Sequence, residues 1–204
     1  MEKIKPRLIL IFICLPIIVF TQQQQLKVDY SAEYKLPLLK RMLKSTLPKS
    51  FTVYYTKNAN RVEFENDFNI LGKNIKMSGN EVNNYALKKT NSSIKFLIEN
   101  DQDTIEQKLD TLITDTTSII SYTSEEKIIL DIKCIGFVME NDESKTEGFL
   151  TTEFSAIGAI IKGKDYGLPM YLKEYQKKEK ITQTLKIISI QKEPIKESYY
   201  IINE

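Results

Sequence analysis

Apolar and polar residues alternate strictly along one segment near the start of the chain. From Leu26 to Leu36, apolar or aromatic side chains occupy every second position, and charged or polar side chains occupy the positions between them. A period of two places the apolar side chains on one face of a β-strand and the polar ones on the other. The pattern therefore predicts a half-buried antiparallel strand, which Pro37 ends because proline has no backbone N–H for a ladder bond.

Two other segments carry apolar residues at helical spacing. The first, Leu38 to Leu47, is followed by Pro48, which favours a short amphipathic helix that ends there. In the second, Asp103 to Thr114, apolar residues recur at i, i+4, i+7 and i+8, and Asp103 with Glu106 resembles a capping box. Both segments are predicted to be helices. Their apolar residues are Leu38, Leu39, Met42, Leu43 and Leu47 in the first, and Ile105, Leu109, Leu112 and Ile113 in the second.

The rest of the chain predicts short strands, because runs rich in aromatic and β-branched residues alternate with turn-forming clusters such as Gly79-Asn80. Successive short strands with tight turns indicate a meander in one mainly β (α+β) domain that spans residues 26–204. The expected strands are Phe51–Thr56, Asn60–Phe68, Asn74–Ser78, Glu81–Lys88, Ser93–Glu99, Lys127–Glu140, Thr146–Thr152, Pro169–Tyr175 and Ile181–Gln191.

Residues 1–22 predict a secretory signal peptide. A basic start, Met1 to Arg7, precedes an unbroken apolar run from Leu8 to Phe20, which is shorter than the roughly 20 residues of a membrane span. Cleavage is expected between residues 21 and 25, with an uncleaved anchor as the alternative. Lipidation at Cys14 is disfavoured, because Ile13 stands where a lipobox needs a small residue. The protein is thus expected in the periplasm, at the cell surface or secreted, with membrane association only through an uncleaved leader.

The charge balance limits the class of partner when the residues of the predicted leader are left out of the count. The chain has 29 lysine and arginine residues against 27 aspartate and glutamate residues, and the leader holds three of the cations and one of the acids. The remaining part is balanced at 26 of each, which argues against nucleic acid, whose binding requires a basic surface. Cys134 is the only cysteine beyond the leader, so no internal disulfide can form there, and its apolar surroundings predict a small buried hydrophobe.

Several common catalytic and metal-binding patterns are missing, although carboxylates, lysine or tyrosine could still serve an enzyme. The chain has no histidine, which excludes Ser-His-Asp and Cys-His catalysis and metal sites built on imidazole. It has no glycine-rich phosphate loop, and Asp101-Gln102-Asp103 lacks the glycine and the terminal glutamate of a calcium loop. We therefore expect no catalytic residue, no cofactor and no metal, in a protein that is not an enzyme.

One modification motif recurs between residues 103 and 117. Asp103-Thr104-Ile105, Asp110-Thr111-Leu112 and Asp115-Thr116-Thr117 resemble the Asp-Ser/Thr-apolar acceptor for O-glycosylation of exported Bacteroidota proteins. Thr104, Thr111 and Thr116 are the candidate acceptors. A plain polar helix face is the alternative interpretation.

The order of segments in the C-terminal half resembles a known group of proteins. The run EKIILDIKCIGFVME is followed by EGFLTTEF, by YGLPMYLKEY, by the strand ITQTLKIISI and by the tail KEPIKESYYIIN. This order is similar to that of the secreted GLPGLI-type proteins and related Bacteroidota families, which in turn resemble LolA-like lipoprotein carriers. Two departures are Met170, where a second glycine follows Gly-Leu-Pro, and Ile132-Lys133, where Gly-Tyr commonly precedes the cysteine.

The resemblance implies a curved antiparallel sheet or half-open barrel, with one or two short helices in its concave face. It also implies an envelope protein that binds an apolar ligand there, such as a lipid or a lipoprotein acyl chain. The alternative is a structural or interaction module of the cell envelope with a filled core and no ligand. A cavity of several hundred Å³ lined by aliphatic side chains would favour the carrier. Independently of the family, Gly167 is expected to take a positive φ and Pro169 to begin the next strand.

Overall fold

The computed structural model describes residues 25–56, 59–70, 72–84, 87–98, 103–112, 119–154 and 167–200. The predicted signal peptide and its cleavage region up to residue 24 lie outside these ranges. Within them the chain forms strands and two 3₁₀ helices. The strands are β1 (Leu26–Lys35), β2 (Ser50–Tyr55), β3 (Ala59–Ile70), β4 (Lys73–Asn84), β5 (Lys89–Ile98), β6 (Asp103–Leu112), β7 (Ile119–Ile129), β8 (Ile132–Glu140), β9 (Ser144–Thr151), β10 (Leu168–Gln176) and β11 (Ile181–Lys192), and the helices are η1 (Leu38–Thr46) and η2 (Glu197–Tyr200).

All eleven strands belong to one antiparallel sheet, in the order β6-β5-β4-β3-β2-β1-β11-β10-β9-β8-β7. Neighbours in the chain are neighbours in the sheet, except that β1 pairs with β11 and that β6 and β7 lie at opposite edges. This confirms the predicted mainly β fold with an open antiparallel sheet.

The direction of the strands explains why the sheet stays open. Ten successive antiparallel pairings make β6 and β7 run the same way, so joining them would require a parallel pair. A parallel connection needs about a dozen residues or more, whereas six residues, 113–118, link these strands. Those six residues span at most about 25 Å, whereas a flat sheet of this width would separate its edges by about 48 Å. The sheet must therefore curve enough to bring the end of β6 within about 25 Å of the start of β7.

The central strand β1 supplies the middle of the core. Leu26 and Val28 are completely buried, Tyr30 is 1% exposed, and the charged residues between them face outward, which confirms the strand predicted from alternation. These side chains pack against residues from both halves of the sheet: Val53, Tyr55, Cys134, Phe154, Leu168, Met170 and Ile187. The part of the concave face near Leu26 to Tyr30 is therefore filled by side chains.

The C-terminal helix η2 covers the other face of the sheet, beside β2 and β3. The Arg61 guanidinium lies 4.4 Å from the centre of the Tyr199 ring and donates a hydrogen bond of 3.2 Å to the Tyr199 carbonyl oxygen. Tyr54 meets the same ring edge to face, at 5.1 Å between centroids. These contacts attach the end of the chain to the convex side and leave the concave side to η1.

The helix predicted at Asp103 to Thr114 is wrong, because Asp103–Leu112 is the edge strand β6. It pairs with β5 along its whole length, from Asp103 opposite Ile98 to Leu112 opposite Lys89. The sequence fits both periods, since Ile105 and Leu109 are four residues apart and also lie on one face of a strand. The first helix was predicted correctly, although it is a 3₁₀ helix that ends at Thr46.

The turn predicted at Gly79-Asn80 is also wrong, since both residues lie inside the continuous strand β4. Gly79 is opposite Phe64 in β3, and a Cβ at Gly79 would lie 2.2 Å from the Phe64 Cζ atom. The glycine therefore makes room for an aromatic ring rather than bending the chain.

The single strand expected at Lys127–Glu140 is a hairpin instead. β7 ends at Ile129 and β8 begins at Ile132, and the two residues between them, Leu130 and Asp131, have φ values of 51° and 61°. Positive φ at both central residues is the geometry of a tight type I′ turn, which usually contains Asn and Gly. Leu-Asp lacks that composition, so the turn could not be recognised in the sequence.

Candidate functional site

An open cavity of about 690 Å³ lies between η1 and the C-terminal half of β1. It is at the opposite end of β1 from the filled core around Leu26 to Tyr30. The lining residues are Ala32, Glu33, Tyr34, Arg41, Met42, Lys44, Ser45, Leu47 and Lys49.

Three contacts hold η1 across this end of the sheet. Lys40 forms an ion pair with Glu179, which lies in the turn between β10 and β11. On the other side, the Asn66 Nδ2 of β3 donates a hydrogen bond of 3.0 Å to the Ser45 carbonyl oxygen. After the helix, the Lys49 carbonyl oxygen accepts a 2.7 Å hydrogen bond from the Ala32 backbone N–H. The helix therefore bridges β3 and the β10–β11 turn and forms one wall of the cavity.

The lining combines apolar side chains with positive charge. Ala32, Tyr34, Met42 and Leu47 supply apolar or aromatic surface, and Arg41, Lys44 and Lys49 supply three cations. Within the described ranges, no carboxylate pairs with any of these three cations. The one acid of the lining, Glu33, is neutralised by Lys186, whose Nζ lies 2.7 Å from a Glu33 carboxylate oxygen. The cavity is therefore suited to a ligand with an apolar part and a negatively charged group.

A row of polar side chains extends from the cavity across the concave face. Tyr34 pairs with Gln183 of β11, Gln183 with Glu174 of β10, and Glu174 with Thr146 of β9. The Gln183 Nε2 donates a 3.4 Å hydrogen bond to the Tyr34 hydroxyl, while burial raises the pKa of Tyr34 to about 12. Burial also raises the pKa of the Glu174 carboxyl, which has no ion pair among the described residues. Poorly solvated polar groups thus lie beside the cavity.

Comparison with solved structures finds the same fold in part of a larger protein. PNGF-II in its P21 crystal form matches with a TM-score of 0.53 and 13% identity, over 88% of this chain and 30% of the PNGF-II chain. Its C2 form matches with the same TM-score and 14% identity, over 87% and 29%. This chain therefore spans less than a third of PNGF-II. Identity at this level shows a shared fold alone.

More distant similarities include two smaller proteins. A β-barrel-like protein of domain of unknown function DUF1849 from Brucella abortus matches with a TM-score of 0.41 and 6% identity, over 84% of this chain and 99% of that one. A proposed outer membrane lipoprotein-sorting protein domain from Vibrio parahaemolyticus matches with a TM-score of 0.27 and 5% identity, over 87% and 89%. Both TM-scores are below 0.5, too low to support a functional conclusion.

Sequence comparison adds no assignment, because no protein-family profile and no curated protein matches the chain. The resemblance to GLPGLI-type proteins therefore stays a prediction. Similarity to a lipoprotein-sorting domain is found only at the distant structural level given above.

The structure locates the residues that the sequence singled out. Cys134 is completely buried, as predicted for a small hydrophobe, and burial raises the pKa of its thiol. Gly167 has a φ of 98°, and a Cβ there would lie 2.2 Å from the Thr151 carbonyl oxygen, so the expected positive φ is confirmed. Pro169 is the second residue of β10 rather than the first, beside a bulge between Pro169 and Tyr171.

The candidate glycosylation sites remain a prediction. Thr104 is exposed in edge strand β6. The Thr111 side chain and the whole of Thr116 lie outside the described residues.

Neither a metal-binding cluster nor a membrane-spanning helix occurs among the described residues. No group of three or more histidine, cysteine, aspartate or glutamate side chains there could hold a metal ion. No helix in the same ranges is both long enough and apolar enough to cross a membrane.

The cavity itself was missed by the sequence reasoning, although one feature could have indicated it. No aspartate or glutamate occurs between Glu33 and Glu63, while this stretch contains all three cations of the lining. A long segment without acids in an otherwise balanced chain marks a local basic surface.

Proposed function

We propose that the protein is an exported, non-enzymatic envelope protein that binds an amphiphilic ligand in the cavity beside η1. The ligand class is a lipid or an acyl chain that carries an anionic group. The single observation that carries the proposal is the cavity of about 690 Å³, whose apolar surface is bordered by Arg41, Lys44 and Lys49. Small-molecule sites usually measure about 300–1,000 Å³ and combine apolar walls with a few polar groups.

The geometry supports different roles for the two kinds of lining residue. Ala32 and Leu47 offer apolar surface that an alkyl chain covers, and burial of such a chain contributes about 0.8 kcal/mol per CH₂ group. The three cations carry no carboxylate partner within the described ranges, so an anionic group would provide the neutralisation that the protein does not. Export enters the proposal through the predicted signal peptide.

A ligand-free module is the second candidate, and the filled part of the core favours it. Leu26, Tyr30 and Tyr55 close the concave face at the other end of β1, so only part of that face is available to a ligand. The two proposed functions differ in whether the η1 end of the concave face holds a ligand in solution.

Uptake of a fluorescent fatty acid tests the proposal. Anthroyloxy-stearic acid should bind to the protein purified from a host that exports it, after removal of co-purifying lipid. Ala32→Trp would fill the cavity and should weaken binding about tenfold or more, because a tenfold loss corresponds to about 1.4 kcal/mol. Leu97→Trp, at an exposed position on β5, is the matched control and should bind as the wild type does.

Two further measurements test the role of the anionic head group and identify any lipid that co-purifies with the protein. The corresponding fatty alcohol, which lacks the anionic charge, should bind more weakly than the acid. Mass spectrometry of an organic extract should identify an amphiphile in the untreated protein. Absence of both uptake and extracted lipid would contradict the proposal, and equal uptake by Ala32→Trp would exclude this cavity as the site.

A further inference from the structure

The helix η1 exposes a concentrated set of large apolar side chains. Leu39 is 93% exposed, Met42 90%, Leu38 74% and Leu43 54%, and no residue of the helix is buried. Single exposed leucines are common on protein surfaces, but here four large apolar residues lie within six positions. Two contacts from Lys40 and Ser45 and a third from Lys49, just after the helix, hold η1 in place with its apolar residues exposed.

The same segment carries most of the local positive charge. Between Glu33 and Glu63 there is no acidic residue, and Lys35, Lys40, Arg41, Lys44 and Lys49 lie on or beside the helix. Lys40 is paired with Glu179, whereas Arg41, Lys44 and Lys49 have no carboxylate partner in the part of the chain that the structure describes. The basic character is local, because the chain beyond the leader holds 26 cations and 26 acids.

We propose that η1 docks the protein on the surface of an anionic lipid bilayer. Leu38, Leu39 and Leu43 enter the region between head groups and acyl chains, and the neighbouring cations contact the negatively charged head groups. Short segments that combine exposed apolar residues with lysine and arginine bind membranes by both effects together. The sequence had predicted membrane contact through an uncleaved leader alone, and η1 provides a second route within the folded domain.

The shape of the segment favours a lipid surface over a protein partner. Leu38, Leu39 and Leu43 project from a helix and lie outside the cavity lining, and a fluid bilayer can surround such a projection on all sides. Charge complementarity points the same way, because an anionic head-group layer is an extended negative surface without a fixed pattern that the cations must match.

Docking would also place the cavity at the membrane. Met42, Arg41 and Lys44 belong to both the helix and the cavity lining, so a bilayer under η1 lies beside the cavity opening. This last step rests on the proposed function, whereas docking itself does not.

Co-sedimentation with vesicles tests the docking. The protein is taken in the form that accumulates in an exporting host, with its N-terminus determined by mass spectrometry. Partitioning onto phosphatidylcholine vesicles that contain phosphatidylglycerol should exceed partitioning onto pure phosphatidylcholine by about tenfold or more, and should fall at high salt. The Leu38→Ser/Leu39→Ser variant should lose about tenfold or more of the partitioning. Ile128→Ser, which removes a 72% exposed side chain on β7, should partition as the wild type does.

A site-specific probe separates η1 from any retained leader. In a Cys14→Ser background, Leu39→Cys labelled with an NBD fluorophore should shift to the blue when anionic vesicles are added. The same label at Ile128→Cys should not shift. Cys134 does not interfere, because it is completely buried.

Four outcomes would overturn the docking. The wild type does not partition onto anionic vesicles, Leu38→Ser/Leu39→Ser partitions as well as the wild type, or the wild type binds neutral vesicles equally well. In the fourth outcome, the exposed leucines of η1 mediate self-association of the protein instead of membrane binding. Light scattering detects the last outcome as a wild-type dimer that these serine substitutions convert to a monomer. The docking proposal and the ligand-binding proposal can be contradicted independently. Leu38 and Leu39 do not line the cavity, and Ala32→Trp leaves these exposed leucines of η1 unchanged.

Discussion

The hydroxyl of Tyr30 connects the central strand to the other half of the sheet. It donates a 2.8 Å hydrogen bond to the Pro169 carbonyl oxygen and lies 3.4 Å from the Tyr55 hydroxyl. Burial raises the pKa of Tyr30 well above its ordinary value, so the group stays a neutral donor throughout the usual pH range. The bond fixes the start of β10, where Gly167 with its positive φ and Pro169 redirect the chain.

Glu174 is the residue whose charge the fold accommodates least well. It is half-buried on the concave face, and burial alone raises the pKa of its carboxyl. Folding therefore favours the protonated form. The contribution of Glu174 to the free energy of unfolding is fully present below the unfolded-state pKa of about 4.3 and is lost as the pH rises through the higher pKa of the folded state.

Substitution of Glu174 by Gln should reverse that loss. We expect Glu174→Gln to have nearly the wild-type free energy of unfolding at about pH 4 and a higher one at about pH 8, because it removes a poorly solvated charge. Urea unfolding at several pH values measures the difference. Glu65→Gln, at an exposed position on β3, controls for the change of net charge. A difference between Glu174→Gln and wild type that does not change with pH would contradict this account.

Among the elements, Gly79 shows how the pairing of β3 with β4 depends on one small residue. A Cβ at this position would lie 2.2 Å from Phe64 Cζ and 2.4 Å from Phe64 Cε1, so the ring occupies the space that a side chain would need. The Phe64 ring also meets Phe51 of β2 edge to face, with centroids 5.9 Å apart. Displacement of the ring would thus disturb side-chain packing in three strands, β2, β3 and β4.

Gly79→Ala should lower the free energy of unfolding by about 1–3 kcal/mol, the usual cost of overpacking a packed site. Phe64→Leu in the same chain should recover part of this loss, because the smaller side chain can move away from the new methyl group. A double-mutant cycle in urea isolates the coupling between the two positions. Additive effects of the two substitutions would show that Phe64 is not the cause.

The elements also show which parts of the fold can be predicted from the sequence. β1 was predicted correctly because its apolar and charged residues alternate without exception, which no helix would allow. β6 was not, because Ile105 and Leu109 satisfy a period of four as well as a period of two. The Leu130-Asp131 turn and the role of Gly79 depend on backbone dihedral angles and on a ring from another strand. Neither is encoded in the local pattern.

The cavity was harder to predict, because it exists only through the packing of one element against another. Leu38 to Leu47 was recognised as amphipathic, and a short helix was expected in the concave face. The structure leaves Leu38 and Leu39 exposed and outside the cavity lining, and it places cations around the cavity. The contacts that decide this, Lys40 with Glu179 and Asn66 with Ser45, join residues far apart in the sequence.

For the molecule as a whole, the two ends of β1 have opposite surroundings. Val28 is completely buried in the filled core, whereas Ala32, only four residues further on and 8% exposed, lines the open cavity. The concave face is therefore closed at one end and available at the other. This contrast separates the ligand-binding proposal from the ligand-free module, since a module would be filled at both ends.

Enlarging a side chain at each end of β1 tests the contrast directly. Val28→Leu adds one carbon where no space remains, so the free energy of unfolding should fall by about 1–3 kcal/mol. Ala32→Leu adds three carbons beside the cavity, so the free energy of unfolding should change by less than about 1 kcal/mol, or increase as the new side chain covers apolar surface. Urea unfolding of both variants, after lipid removal, measures the two effects. If the larger change at Ala32 costs as much as the smaller change at Val28, the cavity is filled in solution and the module becomes the better interpretation. If Ala32→Leu lowers the free energy of unfolding only a little, the cavity is present in solution. The basic residues around that space then favour an anionic ligand over a neutral one.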